Sequence, residues 1–186
     1  LSSDGAIQGA FGPVYGRPSW KAEQGHGSFL AFEFGEPRLE ISEPRELLYV
    51  ISDKLRGRAL QRIACVHGEW HLWIYCCAWS IRLNGKQLAQ SESSRLRILR
   101  AVRVINGQAL TQVSSKSNGR WLFDFDLGGS LLTWPTDEDS EQWVLYVPSG
   151  YVLTVRADGC FKHERSNANP DGAKWLPIAT RQNDSP

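Results

Sequence analysis

HGEWHLWIYCCAWSIRL, residues 67–83, is the stretch on which the fold turns. Read as one extended strand, its period of two sets Trp70, Leu72, Ile74, Cys76 and Ala78 on one face. Trp73, Tyr75, Cys77 and Trp79 fall on the other. Neither face is polar, so the spacing predicts a central strand covered on both sides, by a helix or by a second sheet. The nearest cover is the chain's clearest helical stretch, which begins after Ser91, Ser93 or Ser94 and runs to about Val104. Those serines offer N-caps, and Asn106-Gly107 offers a stop. On a helical wheel Ile98, Leu99, Ala101, Val102 and Ile105 gather on one side, opposite Arg97, Arg100 and Arg103; Arg95 falls inside the apolar arc.

Outward from this centre the pattern is one of short strands and turns. Leu1 to Gly16 holds Gly5, Gly9, Gly12 and Pro13 and reads as an irregular arm tacked down by Phe11 and Tyr15. Gly25-His26-Gly27 marks a turn into SFLAFEF at Ser28 to Phe34, and Gly35-Glu36-Pro37 turns that strand into Arg38 to Ile41. Leu47 to Ile51 and Leu55 to Val66 are further strand candidates. Asn84-Gly85 between apolar flanks is a hairpin signal, because a type I′ turn needs positive φ at both central positions. Strands follow again at Leu110 to Ser115, Trp121 to Phe125, Leu131 to Trp134, Trp143 to Val147, Val152 to Arg156 and Cys160 to His163. The expected fold class is therefore α+β, a mostly antiparallel sheet system with one principal helix at about 92–105. It forms a single compact domain over 1–186, divisible into a β-rich half 16–90, the helix 91–105 and a β-rich half 106–178. An internal echo motivates the halves: GSFLAFEFGEPRLEISEPRELLYV from Gly27 resembles GRWLFDFDLGGSLLTWPTDEDSEQWVLYV from Gly119.

Composition narrows the function classes. With 22% charged and 41% apolar residues, neither disorder nor a fibre is indicated. The balance of 21 basic against 20 acidic residues gives a formal charge of +1, so DNA is not an expected partner. No apolar run approaches the length of a spanning helix, so no membrane is expected, and no signal peptide is read at the N-terminus. The four cysteines, Cys65, Cys76, Cys77 and Cys160, are badly placed for a disulfide scaffold and read as free thiols in a reducing cytoplasm.

The chemistry candidates are thin. HGEWH at His67 to His71 resembles the zinc-protease pattern, but Gly68 stands where that motif needs glutamate. Treated as strand, the segment holds His67 and His71 about 13 Å apart, too far to share a metal, so no metal ligand and no cofactor is assigned. His26 between two glycines is the more interesting histidine, presented on a tight loop. Trp73, Tyr75, Trp79 and Trp134 are candidates for an aromatic groove, and Arg97, Arg100 and Arg103 for an acidic partner or RNA. The acidic run Asp137 to Glu141 does not follow calcium-loop spacing and reads as a solvated loop.

The strings GHGSFLAFEFGEPRLEI, HGEWHLWIYCCAW, WLFDFDLGGSLLTWP, EQWVLYVPSG and VLTVRADG together resemble a widespread family of small uncharacterised bacterial proteins, over most of Gly25 to Asp158. The C-terminal meander is similar, more loosely, to bacterial immunity-type domains. The resemblance implies no activity and no catalytic residue. The leading expectation is a non-catalytic cytoplasmic binding or interaction protein, with a protein partner or self-association. The alternatives are a small-ligand enzyme or hydrolase with a site near His26, and a structural homodimer through a sheet edge.

Overall fold

The computed structural model describes residues 3–44, 59–169, 172 and 174–178. Every strand pairing among them is antiparallel. One sheet has seven strands in the order β1 (Lys21–Gln24), β2 (Leu30–Phe34), β5 (Trp70–Ile74), β11 (Glu141–Tyr146), β12 (Tyr151–Arg156), β13 (Cys160–Arg165) and β14 (Leu176–Pro177). A second has five, in the order β7 (Lys86–Gln90), β6 (Cys77–Leu83), β10 (Gly129–Pro135), β9 (Arg120–Phe125) and β8 (Leu110–Lys116). A two-stranded ribbon, β3 (Arg38–Ser42) with β4 (Ile63–His67), stands apart from both. The α+β class and the antiparallel sheets agree with the sequence. No helix among the described residues is long and apolar enough to cross a membrane.

The two large sheets face each other over one apolar core. Trp143 of β11 meets Trp121 and Phe123 of β9 edge-on, and Phe32 of β2 lies 6.2 Å from Phe125. Each sheet joins strands from both sides of the principal helix, α2 (Arg95–Ile105): β1, β2 and β5 precede it and β11 to β14 follow it in the larger sheet, and β7 and β6 precede it and β10, β9 and β8 follow it in the smaller. The arrangement is a sandwich whose inner faces interdigitate.

The decisive stretch is not one strand. It breaks at Tyr75-Cys76, where Cys76 has φ +48°, and the chain leaves the seven-stranded sheet as β5 and enters the five-stranded sheet as β6. A left-handed residue resets the alternation, so Trp70, Leu72 and Ile74 point inward, followed by Cys77, Trp79 and Ile81. The expected sorting therefore holds up to Ile74 and inverts after it. Trp79, a groove candidate, is a core residue at 1% exposure whose indole N–H donates to the Ser28 carbonyl at 2.7 Å.

The helix also docks elsewhere than expected. Its buried residues are Ile98, Ala101, Val102 and Ile105, as the periodicity requires, but they pack against β1, β7, β6 and β10. It closes one open side of the sandwich instead of lying over β5. Asn106 stops it and spends its side-chain oxygen on the Ala22 N–H at 2.8 Å.

The expected irregular arm is a second helix, α1 (Ser3–Phe11), continued by a short 3₁₀ turn at Gly12–Val14. Ile7, Ala10, Phe11 and Val14 recur at helical spacing and are buried. Phe11 wedges between Phe123 of one sheet and Trp143 of the other, at 6.1 and 5.6 Å. Burial of that stripe outweighs the low helix propensity of its glycines. Hairpin turns at Asn84-Gly85 and Asn118-Gly119 have positive φ at both positions, as anticipated for the first. The strand candidate at Leu47 to Ile51, and with it the last residues of the first echo string, Leu48 to Val50, lies outside the described residues.

A candidate Glu-His-His centre

The pairing of β2 with β5 runs on into the ribbon with a slip. Phe34 faces Trp70, but Arg38 faces His67, so three residues, Gly35-Glu36-Pro37, oppose only two, Gly68-Glu69. An extra residue on one strand bends the pair. Glycines make the bend possible: Gly35 has φ +77°, and a Cβ on Gly68 would collide with the Phe34 backbone nitrogen and oxygen.

This bend overturns the distance inferred for a straight strand. The rings of His67 and His71 meet at right angles with centroids 5.7 Å apart. Both converge on Glu33, the one charged side chain of β2, which points away from the core and is still only 1% exposed. Glu33 Oε1 lies 2.8 Å from His71 Nδ1 and 3.1 Å from His67 Nδ1, and Oε2 accepts the Gly68 N–H at 2.9 Å. One ligand atom from each of Glu33, His67 and His71 lies within 4.8 Å of the other two. The histidine side chains keep 32% and 23% of their surface, so the cluster has a buried floor and an open mouth.

Burial on its own raises the Glu33 carboxyl. The hydrogen bonds from His71, Gly68 and His67, with the charge of His71, outweigh it and hold the group below its ordinary value. A buried carboxylate with three donors can stay ionised, and it fixes the orientation of both imidazoles. The structure therefore presents a buried His/His/Glu cluster able to coordinate a ligand or a metal ion.

Register fixes what surrounds it. Along one row on the outer face of the seven-stranded sheet stand Lys21, Glu33, His71, Tyr146, Val152 and Glu164. The next row holds Glu23, Ala31, Trp73, Val144, Thr154 and Lys162. Tyr146 lies 5.7 Å from the His71 ring. Trp73 stacks on Tyr75 at 4.6 Å, with Phe29 edge-on to both. The Tyr75 hydroxyl donates to Glu141, and its own burial first, then that carboxylate, push its pKa up.

The other sequence candidates are scattered. His26 is exposed at the opposite end of β2 from Glu33, its ring against Phe29 at 6.4 Å. Its flanking glycines, with Gln24 and Ser28, line a cleft of about 520 Å³ whose far wall is Ser91, Ser93, Arg95 and Ile98. Trp134 is half-buried on β10 of the other sheet, away from Trp73 and Tyr75. Arg97, Arg100 and Arg103 are exposed on α2, and Arg97 Nε donates to the Leu88 carbonyl at 2.6 Å. The acidic run is a local turn in which Asp137 Oδ1 accepts from the backbone of Asp139 and Ser140.

Comparison of the chain with protein-family models, with curated proteins and with solved structures finds no match in any of the three.

Proposed function

We propose that the protein is a metal-dependent small-ligand enzyme of the hydrolase type, with Glu33, His67 and His71 as the ligands of one divalent transition-metal ion. The observation that carries this reading is a single buried carboxylate oxygen within 3.1 Å of two imidazole nitrogens contributed by separate strands. For a tetrahedral ion with bonds of about 2.0–2.1 Å, ligand atoms sit roughly 3.4 Å apart, so a small outward relaxation opens the space an ion needs. Two nitrogens and one carboxylate oxygen suit zinc, cobalt or ferrous iron, and three protein ligands leave a position for water or substrate. A bound ion of this class supplies Lewis acidity and a water ionising at about pH 7. In the metal-free chain the two Nδ1–H groups donate to Glu33 and hold the rings in place; with an ion bound those contacts would become metal bonds, and the chain's part is to hold the carboxylate through the Gly68 N–H and keep it buried.

The site differs from the sequence expectation of a hydrolase near His26 in being built at the other end of β2. The interaction-protein reading rests on composition, and no comparable convergence of groups among the described residues supports it. The test is metal titration of the purified chain by calorimetry, with cobalt spectra as a second readout. One ion per chain is expected, with affinity reduced at least about 100-fold by His67→Ala or His71→Ala. The absence of saturable binding of zinc, cobalt, nickel, manganese or ferrous iron would remove the proposal and leave a metal-free, Glu33-oriented histidine pair.

A further inference from the structure

The outer face of the seven-stranded sheet carries one more assignment, which rests on the metal-site reading above. We infer that the site takes a small anionic ligand with a flat ring, its carboxylate or phosphate head on the ion and its ring over Ala31 against Trp73.

The head group follows from charge. One carboxylate and two neutral imidazoles leave a divalent ion with a net charge of +1. The flanking side chains do not cancel it: Lys21 is spent on Glu23 at 3.3 Å and Arg17 on Glu69 at 3.6 Å. Arg38, cross-strand from His67, stands between Glu36 and Glu40, but all three are exposed and screened by water, so the charge that acts at the open coordination position is the ion's own. In a partly enclosed site that charge selects an oxygen anion.

The ring follows from the row beside the ligands. Trp73 is two residues beyond His71 on the same face of β5, about 7 Å along the strand. Its indole stacks on Tyr75, the residue on the side away from His71. Across from it on β2 stands Ala31, the smallest side chain of this face, with Glu33 on one side and Phe29 on the other. A methyl group between a carboxylate and an aromatic edge leaves the floor low beside the indole. Tyr146, 36% exposed and seated against His71, borders the same place from β11. From ion to indole the reach is on the order of 7–10 Å, the length of a ring joined to its acid group by a two- or three-atom chain. Aromatic side chains favour ring contacts with flat partners, and a bound ion fixes the polar end.

Cobalt-loaded protein, followed by its visible spectrum, provides the test. The ligands are 3-phenylpropanoate against propanoate, and 2-phenylethyl phosphate against ethyl phosphate. Each ring-bearing anion is expected to bind at least about 10-fold tighter than its ringless counterpart, and whichever ring-bearing anion binds more tightly identifies the head group. Ala31→Leu, which fills the floor, and Trp73→Ala, which removes the wall, are each expected to abolish the ring's advantage while cobalt affinity and the binding of propanoate or ethyl phosphate stay within about twofold. Equal affinity with and without the ring, or an advantage that survives both substitutions, would overturn the inference and leave the metal site standing. Loss of cobalt binding in the unsubstituted protein would instead strike at the metal-site reading itself.

Discussion

Replacing Glu33 by Gln keeps the shape of the side chain and removes its charge, which makes it the sharpest probe of the cluster. The carboxylate accepts three hydrogen bonds, from two imidazoles and the Gly68 amide. A hydrogen bond to a charged acceptor is worth about 1.5–3 kcal/mol net, and the amide can still satisfy one of the three. Its NH₂ group then faces a donor in a position only 1% exposed. The expected loss is about 2–4 kcal/mol at pH 7, a large part of a typical domain's stability. With a urea dependence of about 2–3 kcal/mol per molar, the unfolding midpoint falls by roughly 0.7–2 M. The sign with pH is also determined. Because the folded carboxyl titrates below the ordinary value of 4.5, its contribution is full above that pH and is lost as the pH falls through the folded value. The gap between the two proteins should therefore narrow in acid. Urea melts of both proteins between pH 7 and pH 3, followed by tryptophan fluorescence, measure it. A Glu33→Gln protein within about 0.5 kcal/mol of the parent at pH 7, with a parallel acid limb, would refute the claim that this carboxylate organises the bend.

Gly68→Ala tests the bend from the backbone side. The new methyl collides with the Phe34 main chain, and the expected cost is about 3 kcal/mol, together with loss of metal binding, read by melts and cobalt titration. Unchanged stability would mean that the Gly68 turn does not approach the Phe34 end of β2 as closely as described. Phe11→Ala tests whether the N-terminal helix belongs to the core: with its ring between Phe123 and Trp143 the expected loss is about 3–5 kcal/mol in a denaturant melt, against under about 1 kcal/mol for a loosely attached arm.

Much of the fold could be read from local pattern. The helix at Arg95–Ile105 declared itself by period, and Asn84-Gly85 by the backbone conformation it demands. The N-terminal helix was written at Ile7, Ala10, Phe11 and Val14, but four glycines and a proline within sixteen residues argued for irregular chain. Long-range burial, which no local signal reports, reversed that balance. The break at Cys76 was hidden for a different reason: positive φ at a residue other than glycine, asparagine or aspartate carries no sequence mark. Because side chains alternate, one such residue was enough to turn Trp79 from an imagined groove into the core.

The cluster was illegible for the same kind of reason, although two clues were present. A glutamate among the phenylalanines of SFLAFEF, in a strand that buries Phe32 and Phe34, has to find donors or water. A glycine between His67 and His71 allows the segment to fold back on itself. Neither clue says that the two meet, because that depends on a one-residue slip between strands separated by the whole of the ribbon.

The slip also bears on why a cluster of this composition stands here. If the only requirement were to fix the ribbon to the sheet, an apolar pair would serve better, since buried polar clusters repay their desolvation poorly. The ribbon itself argues against a purely adhesive role, because Leu39, Ile41 and Val66 remain 65%, 51% and 43% exposed and make no core. What the chain builds at the bend is a carboxylate sealed from water that orients two solvent-facing imidazoles toward a common point. That arrangement spends stability on geometry, and geometry of this kind has its use when something binds between the rings.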